Sequence, residues 1–279
     1  MSTDDIRRRL EGLNRGPLQD RIKSASDAEF TSRSPRASKF PSIESLLGGA
    51  EILTAVGPCF DITRGVGDAW NPARDIHRRF MTNVQHHSAI ERAQVLHTDL
   101  RIVLTRPHDQ WVFVDLETCG FAGTPVFLIG AMTIEPADFR VYQLLARNYS
   151  EERSILTRFR EIIEPRGSLI TFNGKTFDWP FLADRAAANR IAWLSPNDHC
   201  DLLHVSRRRF RQVLPDCRLQ TLERYVCGRR RMGDIPGSEI PAAYHDFART
   251  SDARRMREII HHNFLDLVTM ADIVSRLLE

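Results

Sequence analysis

The sequence predicts an α/β fold: a mixed sheet of three antiparallel strands followed by parallel ones, with helices on both faces. Three observations carry this. The stretch "WVFVDLE" at 111–117 is β-branched and aromatic enough for the middle of a sheet. Two further strand-like runs, "VFLIGAMTI" and "RVYQLLA", follow after short turn-rich connections, which make antiparallel neighbours. Helical stretches then alternate with another strand, the pattern of helices packed on a sheet.

Taken in order, "TSRSPRASKFPS" has loop composition, and Asp5 to Leu13 reads as a short helix in a flexible arm over residues 1–45. Residues 46–100 read as an extension packing on the domain, with a Gly-Pro break and no recognisable chemistry. The main domain spans 101–279. After its three strands, "SEERSILTRFREII" is an amphipathic helix, expected to be capped by Ser150 with Arg153 in place of the capping-box acid. "SLITFN" is a fourth strand returning beside the first. "TFDWPFLADRAAANR" is helical despite Pro180, which a first turn tolerates. Near the C-terminus, "REIIHHNFLDLVTMADIVSRLL" carries apolar residues at helical period.

The chain has 279 residues with 42% hydrophobic content, enough for a substantial core, and a net charge of only +3, which decides nothing about nucleic acid. Cys59, Cys119, Cys200, Cys217 and Cys227 are odd in number and lack CxxC spacing, so they read as reduced thiols of a cytoplasmic protein. "MSTDDIRRRL" is too charged for a signal peptide, and no apolar run approaches the roughly 18 residues of a membrane span. Gln85-His86-His87 reads as a solvated polar turn, because no third metal ligand stands at suitable spacing.

The chemistry lies in the acids. Side chains alternate along a strand, so Asp115 and Glu117 point to one face. A lone D-x-E is usually an exposed strand end, but two carboxylates beside an apolar strand are costly without a positive partner. A divalent ion with hard oxygen ligands is such a partner. "NGKT" at 173–176 is not a phosphate loop, since Leu169 stands where the GxxxxGK[ST] pattern needs glycine. Asn173 and Gly174 instead make a strand-to-helix turn, placing Asp178 in the first helical turn, where the helix dipole should keep it ionised. Asp266 lies among Phe264, Leu265, Leu267 and Val268, a poor place for a bare charge. His262, four residues earlier, shares its helical face, whereas His261 is rotated away.

Asp115, Glu117, Asp178 and Asp266, with a histidine just before the last, resemble the DEDD 3′–5′ exonucleases of the ribonuclease H-like fold. The resemblance is closest to the bacterial YprB-type predicted exonucleases. It rests on "FVDLETCGFAGTPVFLIG", "LITFNGKTFDWPFL", "CDLLHVSRRRF", "LPDCRLQTLERYVCGRRRMGDIPGSEIPAAYHDFARTSD" and "HHNFLDLVTMADI", over about residues 100–279. Cys119 stands where many such enzymes have a second threonine. The resemblance implies a ribonuclease H-like domain with two-metal 3′–5′ exonuclease activity. Asp115, Glu117, Asp178 and Asp266 would hold two Mg²⁺ or Mn²⁺ ions, and Thr118, Asn173, Lys175 and Phe177 would contact the substrate. Such enzymes use as base either a tyrosine four residues before the last acid or a histidine five before it. Here His262 fills the first position and His261 the second, so both stand as candidates, with His262 favoured by its face.

"HVSRRRFRQVLPDCRLQTLERYVCGRRRMGD" is rich in arginine. A solvated helix face is the ordinary reading of such a run; Arg207, Arg208, Arg209 and Arg211 are the candidates for tracking phosphates. Among the aromatics, Phe210, Trp179 and Tyr225 are candidates for stacking on bases, with Tyr225 placed in the core by its spacing to Leu222. The expected substrate is single-stranded DNA or RNA, undecided between the two. The rival readings are a structure-selective endonuclease on the same fold and a catalytically silent nucleic-acid-binding module.

Overall fold

A computed structural model describes residues 41–87, 96–193 and 195–279. The helix expected over Asp5 to Leu13 lies outside them.

The short helix α1 (Ile43–Leu47) is capped by the Ser42 side chain and ends at Gly48, whose φ of 69° is left-handed. β1 (Ala50–Thr54) and β2 (Gly57–Gly65) form an antiparallel hairpin. α2 (Val66–Ala69), α3 (Ala73–His87) and α4 (Thr98–Leu104) follow. Next come β3 (Trp111–Thr118), β4 (Val126–Ile134) and β5 (Phe139–Leu145), each antiparallel to the one before. α5 (Glu152–Ile163) leads to β6 (Ser168–Thr171), and α6 (Asp178–Ala188) leads to β7 (Asp198–Asp201). α7 (Leu202–Phe210), α8 (Leu219–Tyr225), α9 (Ile240–Thr250) and the 24-residue α10 (Arg254–Leu277) complete the chain.

One seven-stranded sheet runs β1-β2-β5-β4-β3-β6-β7. The three expected antiparallel strands form its middle, and β6 and β7 add in parallel. The hairpin of β1 and β2 extends the other edge through β2 and β5. Neither the hairpin nor β7 is predicted by the sequence: Gly57-Pro58 breaks the pattern between β1 and the rest of β2, and "DHCD" is too short and polar to carry a period-2 signal.

Each face of the sheet has its own apolar cluster. Val112 and Val114 join one, with α5, α6, α9 and the start of α10. Trp111 and Phe113 join the other, with α3, α4, α7 and the rest of α10. Asp115 and Glu117 continue the Trp111 and Phe113 face by alternation, and so meet α10.

Several local expectations are corrected. Ser150 does not cap α5: the Asn148 side chain accepts from the Ser150 amide, a short 3-10 turn intervenes, and Glu152 is buried against Arg185. Gln85 and His86 are exposed on the last turn of α3 and do not form a loop. Tyr225 is 54% exposed beneath the Arg224 guanidinium, because α8 ends there and its ring falls outside the core. Trp179 packs against Trp193 with ring centroids 5.3 Å apart, and Phe210 packs beside Leu222 and Ile273. All five cysteines are buried thiols without disulfides. Among the described residues no helix is long and apolar enough to cross a membrane.

Candidate active site

The site begins where the sheet's pairing stops. β6 pairs with β3 only from Trp111 to Phe113, so the second half of β3 loses its neighbour on that side. The buried strand becomes half-buried from Asp115 onward. The Asn173–Phe177 turn and the start of α6 lie in the resulting crevice, and the Asp178 carboxylate accepts from the Leu116 backbone amide. Unpaired backbone at a strand end thus fixes the third acid against the first two.

The turn itself is built around Asp201. This fully buried carboxylate accepts from the backbone amides of Asn173 at 2.8 Å and Lys175 at 3.2 Å, and from Leu203 at the start of α7 at 3.0 Å. Asn173 has a φ of 67°, which an asparagine tolerates. Gly174 is required sterically, since a Cβ there would stand 2.4 Å from Thr171.

α10 brings the fourth acid. Asn263 donates to Asp115 Oδ2 at 2.8 Å and accepts from Gln143 at 2.9 Å, bonding the helix to two strands. Asp266 follows one turn later and is 9% exposed. Its oxygens face Arg231, which forms a short ion pair with it, and His262 Nε2 at 3.4 Å. Arg231 also binds Glu223 at 2.5 Å and Asp234 at 3.2 Å, and its side chain is only 6% exposed. Grouped by sequence with a solvent-facing arginine run, Arg231 is instead the buried counter-charge of three acids. Arg229 likewise turns inward, onto Trp70 and Asp272. Arg207, Arg208, Arg209 and Arg211 remain exposed.

The carboxylates raise one another. Burial, then Asp266, Glu117 and Asp178, push Asp115 well above the usual range, with the Asn263 hydrogen bond pulling the other way. Burial, then Asp266, Asp178 and Asp234, do the same to Glu117. Asp178 is pushed up to about 7, chiefly by burial, with Asp201 and Asp266 adding to it. The expectation that the helix dipole keeps Asp178 ionised is therefore corrected: desolvation and neighbouring acids outweigh the α6 N-terminus.

The four acids sense one another, yet no three His, Cys, Asp or Glu side chains among the described residues stand close enough to hold one ion as positioned. At Asp266 one carboxylate oxygen is held in the ion pair with Arg231. The donor chemistry nonetheless suits hard divalent cations, because the donors are carboxylate oxygens gathered in a partly or fully buried cluster. Asp115, Glu117, Asp178 and Asp266 are the residues that would hold them.

The two histidines part company. α10 begins at Arg254, well before either, so regular helical geometry applies to both. His262 is buried on the Asp266 face, with Nδ1 2.9 Å from Asp234 Oδ1. His261 is exposed on another face, and burial, Arg231, Arg64 and His262 hold its pKa down against Asp234.

Thr118 and Phe177 line a largely apolar pocket of about 620 Å³ with Leu116, Phe121, Asp178 and Phe181. Phe177 is 63% exposed and Phe121 92% exposed, so two large aromatic rings stand open beside an acid of the cluster. Lys175 is held by Asp99, with Nζ 2.6 Å from its carboxylate. Asp234, Asn263, Asp201 and Phe121 also belong to the site and are not predicted by the sequence. Asp234 and Phe121 sit in loops, where no periodicity marks a side chain's direction. The one signal in the sequence for Asn263 is its place next to His262, three residues before Asp266.

Acids at the mouth of the central strand, answered by a C-terminal helix, place the protein in the ribonuclease H-like class. The family RNase_H_2, of the RNase_H superfamily, matches residues 112–278, and the chain belongs to it. It is 31% identical over 166 residues to the uncharacterized protein YprB of Bacillus subtilis strain 168, a match covering 58% of this chain and 40% of that protein. The chain therefore spans well under two thirds of that relative. Among solved structures, the family B DNA polymerase of the archaeon Pyrobaculum calidifontis is similar at a TM-score of 0.47 and 17% identity, over 60% of this chain and 24% of the polymerase.

Proposed function

We propose that this chain is a DEDD-type, metal-dependent 3′–5′ exonuclease acting on single strands of DNA or RNA. One observation carries the reading. Asp115, Glu117 and Asp178 are gathered with Asp266 in one cluster, and burial first, then neighbouring acids, push each of the three up. A fold does not sustain such repulsion cheaply, and Mg²⁺ or Mn²⁺ ions would relieve it. The exonuclease direction is supported by the order of these acids along the chain, which resembles the exonuclease pattern.

Asp115, Glu117, Asp178 and Asp266 would hold two ions, with Asp266 exchanging its Arg231 contact to do so. When bound, such ions supply the positive charge that activates water and stabilises the leaving oxygen of a phosphodiester. His262 would take the proton of the attacking water at Nε2. Asp234 would hold the proton on Nδ1, fixing the tautomer that leaves Nε2 as acceptor. Phe121 and Phe177 would stack on the terminal bases, which is sequence-tolerant because every base has a π-face.

The test is incubation of purified protein with 5′-labelled single-stranded DNA and RNA in Mn²⁺, Mg²⁺ or EDTA. The expected result is a ladder shortening from the 3′ end, present with metal and absent with EDTA. Discrete internal fragments would instead establish an endonuclease, and intact strand with a gel shift a binding module.

A further inference from the structure

Beside the acid cluster, where α10 meets Arg64 of β2, lies a second pocket, of about 610 Å³, lined by Arg64, Arg257, His261, Glu258, Ser45 and Gly233 among others. Its volume suits a small polar group with its flanking atoms. Its charge is uncommon. Arg64 is half-buried, yet no acid pairs with it among the described residues. Its Nη2 donates to the neutral Gln143 Oε1 at 3.0 Å, its guanidinium lies 5.3 Å from the Phe264 ring centroid, and its Nε is buried without a hydrogen-bond partner. Burial lowers its pKa, with no acid opposing the shift. Arg257 is exposed and also lacks an acid partner among the described residues. Glu258 is the one carboxylate in the lining. A cation desolvated without a counter-charge is costly to keep, and an incoming anion would repay that cost.

The pocket adjoins the acid cluster through two pairs of consecutive residues. His261 and Gly233 line it, while His262 and Asp234 pair with each other beside Asp266. Consecutive Cα atoms are about 3.8 Å apart, so the two sites are neighbours along any strand lying across α10. A buried hydrogen-bond chain also joins them: Arg64 to Gln143, Gln143 to Asn263, Asn263 to Asp115.

We propose that the Arg64–Arg257–His261 pocket is a phosphate site, taking a backbone phosphodiester of the substrate strand away from the bond that is cut. The site rests on the reading of the chain as acting on nucleic acid. Through Gln143 and Asn263, an occupied pocket holds Asp115 in place, so strand engagement and the acid cluster are mechanically linked.

The experiment measures binding of a fluorescein-labelled oligothymidylate by anisotropy, in EDTA, across a range of salt. Wild type, Arg257→Gln and Arg64→Met are compared, with circular dichroism confirming that each is folded; Arg257 is exposed, so its variant keeps the test informative if Arg64→Met does not fold. Inorganic phosphate is titrated into the same proteins. Loss of affinity, with a salt slope shallower by about 0.7 for each arginine removed, supports the site. An unchanged affinity and slope overturns it. A change in inorganic phosphate binding alone also overturns it, because the pocket then takes free anions and not a strand. Cleavage plays no part in this readout, so absence of nuclease activity in the wild type would refute the exonuclease reading and leave the binding result to decide the pocket.

Discussion

The Asn263 side-chain amide donates to Asp115 Oδ2 at 2.8 Å, so α10 and β3 meet on a carboxylate. The contact depends on Gly130, which pairs with Asp115 across β3 and β4. A Cβ at Gly130 would stand 2.3 Å from Asn263 Oδ1. Gly130→Ala should therefore displace Asn263 and cost about 1–3 kcal/mol of stability by overpacking. Denaturant melts check the cost, and Mn²⁺ titration of the same variant should show weakened binding. A variant that melts with the wild type would mean that α10 moves aside freely.

His262 and His261 should separate cleanly. His262→Ala should retain Mn²⁺ binding but lose turnover by roughly 10²–10⁴-fold, the usual contribution of a general base. His261→Ala should be milder. Asp234→Asn should lower turnover less than His262→Ala, because it loosens the ring without removing it. Single-turnover rates on a 5′-labelled strand make the comparison. A larger loss at His261 would transfer the base to the second histidine.

The raised acids give the metal-free protein a signed pH dependence. Asp178 is pushed up to about 7, and Asp115 and Glu117 are also raised well above their ordinary range. From about pH 4 to these raised values, the folded protein holds protons that the unfolded chain has released. Their contribution to stability therefore falls as pH rises through that window. Asp178→Asn removes one such group. Melts in EDTA should show its Tm gaining on the wild type between about pH 4 and pH 8. A gap that stays constant would show that Asp178 is not titrating in the fold.

Arg207, Arg208 and Arg209 occupy the last turn of α7 and are exposed. If they track phosphates, replacing all three by alanine should weaken single-strand binding and flatten its salt dependence by up to about 0.7 per lost contact. An unchanged slope would return them to a solvated helix face.

The residues that were legible in the sequence are those whose direction a regular element dictates. Asp115 and Glu117 follow from strand alternation, and Asp266 with His262 from helical period. Arg231 was illegible for the opposite reason. It follows eight arginines of a polar segment, and only the loop between α8 and α9 turns it inward onto Glu223, Asp234 and Asp266. Asp178 was placed correctly at the start of a helix, but its proton affinity was not readable, because Asp201 and the burying shell come from distant segments. Tyr225 had the spacing of a core residue, yet α8 is too short to bury it.

Whether the four acids hold divalent cations is decided by calorimetric titration of metal-free protein with Mn²⁺, with Asp115→Asn alongside. The wild type should bind Mn²⁺ and rise in Tm on doing so. Asp115→Asn should bind weakly or not at all, while melting above the wild type in EDTA near pH 8, because an acid whose pKa burial and its neighbours raise is gone. Equal titrations of the two proteins, or a wild type that ignores Mn²⁺, would mean that these acids hold no divalent ion.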